Sequence, residues 1–396
     1  MRTISVPERR RAMVRRHHLA GEASGPEAVT RAMIALHATD PASVYLSVLA
    51  RSAASSLAHV AEAMYGRRRL VRWLAMRRTL FVFAREDIPM IQAAVSSPLA
   101  ATLRTRLVSQ LERNGTEPSI DGDVTVWLDR LAARVERALD QRGAATGAEL
   151  SRDEPRLATS ILVRAPSDRP QNVTTSLLTL MSAQGRIVRG SPTGAWTSRH
   201  HRWEPVGRWW PDGLPTPDPG PAQQALARRW LTRFGPATVE DLQWWTGWNQ
   251  TTTRRALSNL PVTEIDLHGR PGIILSELDA DGPGDASAPV ASLLPALDPT
   301  PMGWKHRDWF LGLDRQAIFD RAGNIGPTVW WDGEIIGSWA VTATGELRTR
   351  VLADRGAEAH AAIDAAAARL HQRLDGATVT PAVRTPLEQA LLLQDR

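Results

Sequence analysis

Apolar residues recur along this chain at two spacings, and the alternation between them sets out its organisation. At 7–19, 26–36, 41–52 and 56–65 they fall three and four apart, the period of a helix with one buried face. Directly afterwards, LVRWLA at Leu70–Ala75 and TLFVFA at Thr79–Ala84 are strand-like runs joined through Met76-Arg77-Arg78, which predicts a hairpin. The succession returns twice. Helical spacing at 124–141, 146–150 and 173–184 precedes GRIVRG and AWTSRHHRW, which are separated by a turn at Ser191-Pro192-Thr193-Gly194. Helical spacing at 221–234, 239–246 and 251–260 precedes VTEIDL and IILSEL, which flank a turn at His268-Gly269-Arg270-Pro271-Gly272.

The second and third copies also share a phrase, RGAATGAEL at 142–150 and FGPATVEDL at 234–242. Small residues, then a Thr before a short helix with an acid at its third position, match a capping box. Two such phrases in register, each followed by a helix and a hairpin, predict duplicated winged-helix units, three in all. The remainder, 290–352, is β-rich, with hairpin turns signalled at Asp332-Gly333 and Thr344-Gly345. It predicts a small β-barrel or an open β-sheet, closed by a helix over Ala357–Leu374. The fold class expected is therefore α+β: three tandem winged-helix units followed by this C-terminal sheet. Polar, Pro- and Gly-rich breaks at 114–123, 205–221 and 279–289 divide the chain into units at 1–113, 123–204, 221–278 and 290–375.

Composition narrows the function classes. The chain has 396 residues, of which 43% are hydrophobic, enough for several packed cores. Cys is absent, which excludes disulfides and thiolate ligands or nucleophiles, and the His residues show no HExxH-like spacing. No metal and no cofactor, nucleotide or other, is expected. The start is basic without an apolar core, and no apolar run is long enough to span a bilayer, so a cytoplasmic protein away from membranes is expected. The net charge is +6, and every basic residue but Lys305 is arginine. Arginine grips phosphates and guanine edges with a planar fork, although coding bias alone also favours it. Its clustering says more. Arg67-Arg68-Arg69 and Arg77-Arg78 flank the first hairpin, Arg254-Arg255 sits on a polar helix face (NQTTTRR), and Lys305 and Arg307 flank His306. These are the candidate contacts to double-stranded DNA, set against the alternative that each is a solvated basic turn. The 15 Trp residues are assigned to cores and interfaces rather than to base stacking. Nothing in the sequence fixes the oligomeric state, and a monomer is assumed.

Several stretches resemble the AlkZ-like winged-helix family, which includes DNA glycosylases that remove bulky or crosslinked alkylated bases. They are LHATDPASVYLSVLAR at 36–51, RRTLFVF at 77–83, LLPALDP at 293–299 and DRAGNIGPTVWWDGEIIGSW at 320–339. The resemblance runs from about residue 8 to residue 374 and implies three winged helices plus a C-terminal β-barrel, binding to DNA, and base excision. Where catalytic members carry Gln, an apolar residue and Gln, this chain has His37-Ala38-Thr39.

Asp40-Pro41 is a helix N-cap followed by proline in the first turn, which puts residues 37–39 in the connection before that helix. In an extended segment residues i and i+2 share a side, so His37 and Thr39 are expected to point together into a groove. An N7-alkylated purine already carries positive charge, so its release needs a positioned water and stabilisation of an oxocarbenium-like sugar more than it needs an acid. His37 is the candidate acceptor of the water's proton, Thr39 the group that orients the water, and Asp40 the negative charge near the sugar. The competing assignments are a packed or capping His, a loop hydrogen-bonder and a plain N-cap. The leading expectation is thus a DNA glycosylase-like enzyme acting on N7-alkylated purines. The alternatives are a non-catalytic winged-helix protein that recognises distorted duplex or regulates transcription, and a platform for protein partners.

Overall fold

The computed structural model describes residues 2–163, 171–280, 288–379 and 384–393. Most of the predicted break at 279–289 lies outside the described residues. The chain is α+β, with helices grouped around separate sheets rather than alternating with parallel strands. Helix starts follow local chemistry. Ser5 with Glu8, Thr146 with Glu149 and Thr238 with Asp241 form reciprocal capping boxes at the starts of Val6–Arg16, Gly147–Asp153 and Val239–Thr246.

Among the described residues the strands form four sheets. The hairpin Leu70–Ala75 and Thr79–Ala84 joins the hairpin Ile187–Pro192 and His201–Pro205 in one five-stranded sheet, the two meeting where Arg72 pairs with Arg189. The hairpin Val262–Asp266 and Pro271–Leu275 takes Arg2–Thr3 as a parallel third strand. The C-terminal strands Ala291–Leu294, Thr328–Trp331, Glu334–Val341 and Leu347–Val351 pair in chain order as an antiparallel sheet whose first and last strands do not pair. Of the two expected forms this is the open sheet and not a closed barrel. The helix Ala357–Leu374 lies against its first strand at the predicted place.

Four local expectations need correction. The helix expected at 26–36 stops at Met33, because Ile34 turns the backbone to φ 63° and frees Leu36–His37 to pair with Phe81 and Val82. The helix expected at 56–65 runs as Leu57–Ala61 and finishes in a π-helical turn, Glu62–Gly66. The second strand of the middle hairpin begins only at His201, since Trp196 leaves the ladder to pack on Tyr45 at a ring distance of 4.9 Å. The break at 205–221 ends early, because Pro219 and Pro221 occupy the first turn of the helix Pro219–Phe234, where a missing N–H costs nothing. Beyond these, the C-terminal region has a second helix, Pro386–Leu392, docked on the sheet.

Candidate functional site

The segment Leu36–His37 is a strand through its antiparallel pairing with Phe81 and Val82, on the outer edge of Thr79–Ala84 in the first hairpin. The strand is short and leads directly into Asp40, whose carboxylate accepts from the Ala42 N–H at 3.1 Å and starts the helix Pro41–Arg51. That helix is buried along nearly its whole length and binds the C-terminal segment LLPALDP. Ser43 Oγ donates to the Ala296 carbonyl at 2.7 Å and Ser47 Oγ to Asp298 at 2.8 Å. Arg51 grips both oxygens of Asp298 at 2.6 and 2.8 Å, with both side chains fully buried. The Leu297 N–H in turn donates to the Ile325 carbonyl at 3.1 Å, which draws the loop 320–325 alongside.

These attachments enclose a cleft of about 320 Å³ lined by His37, Thr39, Asp40, Arg78, Ala296, Asp320, Asn324 and Thr385, among others. Its size is at the small end for a ligand site. His37 is 9% exposed, packs edge-on against Phe81 at 5.2 Å, and its Nδ1 has no hydrogen-bond partner. Burial first, and the nearby Arg77 cation second, push its pKa down to about 4. At neutral pH it is therefore an uncharged imidazole and a weak base. Thr39 is exposed and Asp40 is buried. The opposite wall is held rigid by Asp320, which accepts from the backbone N–H groups of Ala322 and Asn324 at 2.9 and 2.7 Å and from the Asn324 amide at 2.9 Å. Asp320 and Asn324 thus stand together as one wall of the cleft.

The predicted basic residues separate. At the hairpin turn Arg77 and Arg78 both have positive φ, 53° and 60°. Arg78 lines the cleft, while the Arg77 guanidinium lies 3.9 Å above the Trp244 ring, beside Gly247, whose missing side chain admits the Arg77 stem. Arg307 is buried, donates to the Trp304 carbonyl at 2.8 Å and stands 4.9 Å from the same Trp244 ring. Its guanidinium thus faces aromatic surface in the interior. Arg67 is exposed and 3.5 Å from Glu27, and Arg69 is exposed. Arg68 is half-buried, donating to the Arg208 carbonyl at 3.1 Å. Arg254 is exposed, Arg255 donates to Gln223 at 2.8 Å, and Lys305 pairs with Glu240 at 2.9 Å. Arg67, Arg68, Arg69, Arg254, Arg255 and Lys305 stand outside the cleft that Arg78 lines. The large tryptophans Trp73, Trp209, Trp230, Trp304, Trp330 and Trp339 are buried in cores.

Sequence reasoning missed Ala296, Asp320, Asn324 and Thr385 as walls of the cleft. The visible signal was the turn chemistry of Asp320–Asn324, but nothing local says which distant segment it faces. No helix among the described residues is long and apolar enough to cross a membrane.

The comparisons with known proteins agree with this architecture. An interstrand DNA cross-link repair glycosylase of Streptomyces sahachiroi is 26% identical over 223 residues, 54% of this chain and 58% of that protein's length. The solved structure of the Streptomyces sahachiroi DNA glycosylase AlkZ superposes with a TM-score of 0.72 at 20% identity, covering 93% of this chain and 97% of that one, a likeness of fold. The family model described as DNA glycosylase AlkZ-like matches residues 30–373, a span that takes in the Leu36–His37 strand, the hairpin turn and the C-terminal sheet. The chain belongs to the AlkZ-like DNA glycosylase family.

Proposed function

We propose that this protein is a DNA glycosylase that hydrolyses the N-glycosidic bond of N7-alkylated purines, bulky or crosslinked ones included, in duplex DNA. The reading is carried by one observation: His37, Thr39, Asp40 and Arg78 converge on a single cleft on the first hairpin. The name of the curated relative, a cross-link repair enzyme, points to the same substrate class. We read the three hairpins as wings of three winged-helix units, with units at 1–113, 123–204, 221–278 and 290–375, acting as a monomer in the cytoplasm.

The chemistry follows from charge. The alkylated base leaves as a neutral group, so the bond breaks once the sugar's growing positive charge is met by an anion, and Asp40 supplies it. A water then adds to the sugar carbon. Neutral His37 accepts a hydrogen bond from that water and takes its proton late, after the C–O bond has largely formed, because an imidazole depressed to about 4 is too weak to take it earlier. Thr39 fixes the water's orientation. Arg78 holds a backbone phosphate at the mouth, as do Arg67, Arg69 and Arg254 at exposed positions elsewhere. Arg77 and Arg307 act one step back, by fixing the hairpin turn against Trp244.

The test is base release from duplex containing N7-methylguanine and from duplex carrying a bulky or crosslinking N7 adduct, at low salt. Wild type releases base and His37→Ala is slower by on the order of 100-fold. Duplex binding with no release from either substrate would overturn the enzyme reading.

A further inference from the structure

The helix Pro386–Leu392 turns Leu387, Glu388 and Leu391 inward. Two of these are apolar, as a docked helix requires, and the third is a carboxylic acid only 2% exposed. Its Oε2 has no hydrogen-bond partner, which is an expensive state for an ionised carboxylate. Glu388 lines a small recess with Asp40, Ser43, Pro295, Ala296 and Trp339, and Asp40 and Ala296 are also walls of the cleft. Thr385, three residues earlier, reaches the cleft itself, and its hydroxyl is also unpartnered. Gly326 makes this approach possible, since a Cβ there would stand 2.5 Å from the Thr385 Oγ1.

We propose that Glu388 is a positioning residue for the cleft, holding a proton behind Asp40 and thereby setting how much negative charge faces the sugar. The inference rests on the glycosylase reading. With Glu388 neutral, Asp40 is the lone anion of the pair. When Glu388 loses its proton to solvent, a second negative charge stands behind Asp40, in surroundings too apolar to screen it.

Burial pushes the Glu388 carboxyl up to about 7; Arg384 and a hydrogen bond from the Thr385 backbone oppose the rise, and Asp40 adds a smaller push in the same upward direction. The elements packed on this helix also carry Arg315, Glu334, Arg348 and Arg350. His37, pushed down to about 4, does not titrate in the same range, so an inflection near neutrality separates the two groups.

The experiment is single-turnover base release from N7-methylguanine duplex by wild type and Glu388→Gln between pH 6 and 8.5, with thermal unfolding of both across pH 4.5 to 8. The wild-type rate rises about tenfold through neutrality, because an added anion stabilises the cationic sugar. Glu388→Gln stays at the low-pH rate throughout. In unfolding, native wild type keeps a proton that the unfolded chain gives up between about 4.5 and 7, so its midpoint falls over that window relative to Glu388→Gln. An inflection that survives in Glu388→Gln, or a wild-type rate with no inflection, overturns the proposal. Absence of release by wild type at every pH overturns the glycosylase reading and the kinetic role of Glu388 with it. The unfolding profiles then still report whether Glu388 holds its proton, and coincident profiles overturn that too.

Discussion

At the scale of single residues, His37 shows how far burial moves a side chain from its ordinary chemistry. A free histidine would titrate near 6.5, and this one is pushed down to about 4. Its folded value is depressed, so between about 4 and 6.5 the unfolded chain binds a proton that the native protein refuses. Stability therefore increases with pH across that window and is lost as pH falls through it, by about 3 kcal/mol for this one group. His201, pushed down to about 3, and the fully buried His17, lowered well below 6.5, act in the same direction. Glu388 acts oppositely between about 4.5 and 7. A nearly level wild-type profile over pH 4.5 to 6.5 would therefore conceal opposing slopes, and variants separate them. In urea unfolding, His37→Gln is expected to lose less stability than wild type on acidification from pH 6.5 to 4.5. Equal losses would mean that His37 is solvated and ordinary. The sequence placed His37 and Thr39 on one side of an extended segment before a proline-started helix, which needs only local rules. It could not say that the imidazole would be buried against Phe81, because that contact comes from strand pairing across more than forty residues.

At the scale of elements, helices announced themselves where a cap and an apolar stripe coincide. The capping boxes at Thr146 and Thr238 and the helix Ala357–Leu374 stand where the residue pattern puts them. Elements held by tertiary contacts alone did not. Leu36–His37 is too short to show a period, and Pro386–Leu392 has only Leu387 and Leu391 to mark it beside a buried acid. The first hairpin turn is the clearest case of neighbours that look alike in sequence and differ in place. Arg77 and Arg78 read as equivalent phosphate contacts, yet one stacks on Trp244 and the other lines the cleft. Their variants should differ accordingly. Arg78→Ala is expected to weaken duplex binding and lower the slope of log affinity against log salt by about 0.9, with unfolding free energy unchanged within about 0.5 kcal/mol. Arg77→Ala is expected to cost about 1 kcal/mol in urea unfolding through loss of the cation–π contact. Salt-dependent binding titrations beside urea curves decide it, and matching behaviour of the two variants would contradict the division of roles.

At the scale of the whole molecule, the cleft is assembled from segments at 37–40, 78–79, 296–297, 320–325 and 385, so no local reading could have delivered more than one wall. Two of these segments are joined by the buried pair of Arg51 and Asp298, at 2.6 Å, reinforced by Ser47 and by Thr300, whose hydroxyl accepts from Arg51 at 2.7 Å. The pair ties the helix that Asp40 starts to the loop carrying Ala296 and Leu297. Paired and fully hydrogen-bonded, two buried charges contribute little net stability, but one left alone is costly. Asp298→Ala removes the carboxylate that grips Arg51 and should destabilise the protein by about 3–5 kcal/mol. Replacing both partners, Arg51→Met with Asp298→Leu, should recover most of that loss, since no buried charge remains. Recovery of stability need not bring back function, because the double variant keeps an apolar contact while giving up the bidentate geometry that fixes the loop. The expected result is a double variant that unfolds near the wild-type urea midpoint, yet releases base from N7-methylguanine duplex at least about tenfold more slowly. Retained activity in that variant would mean that packing alone places the cleft's far wall, and that the ion pair sets stability without setting geometry.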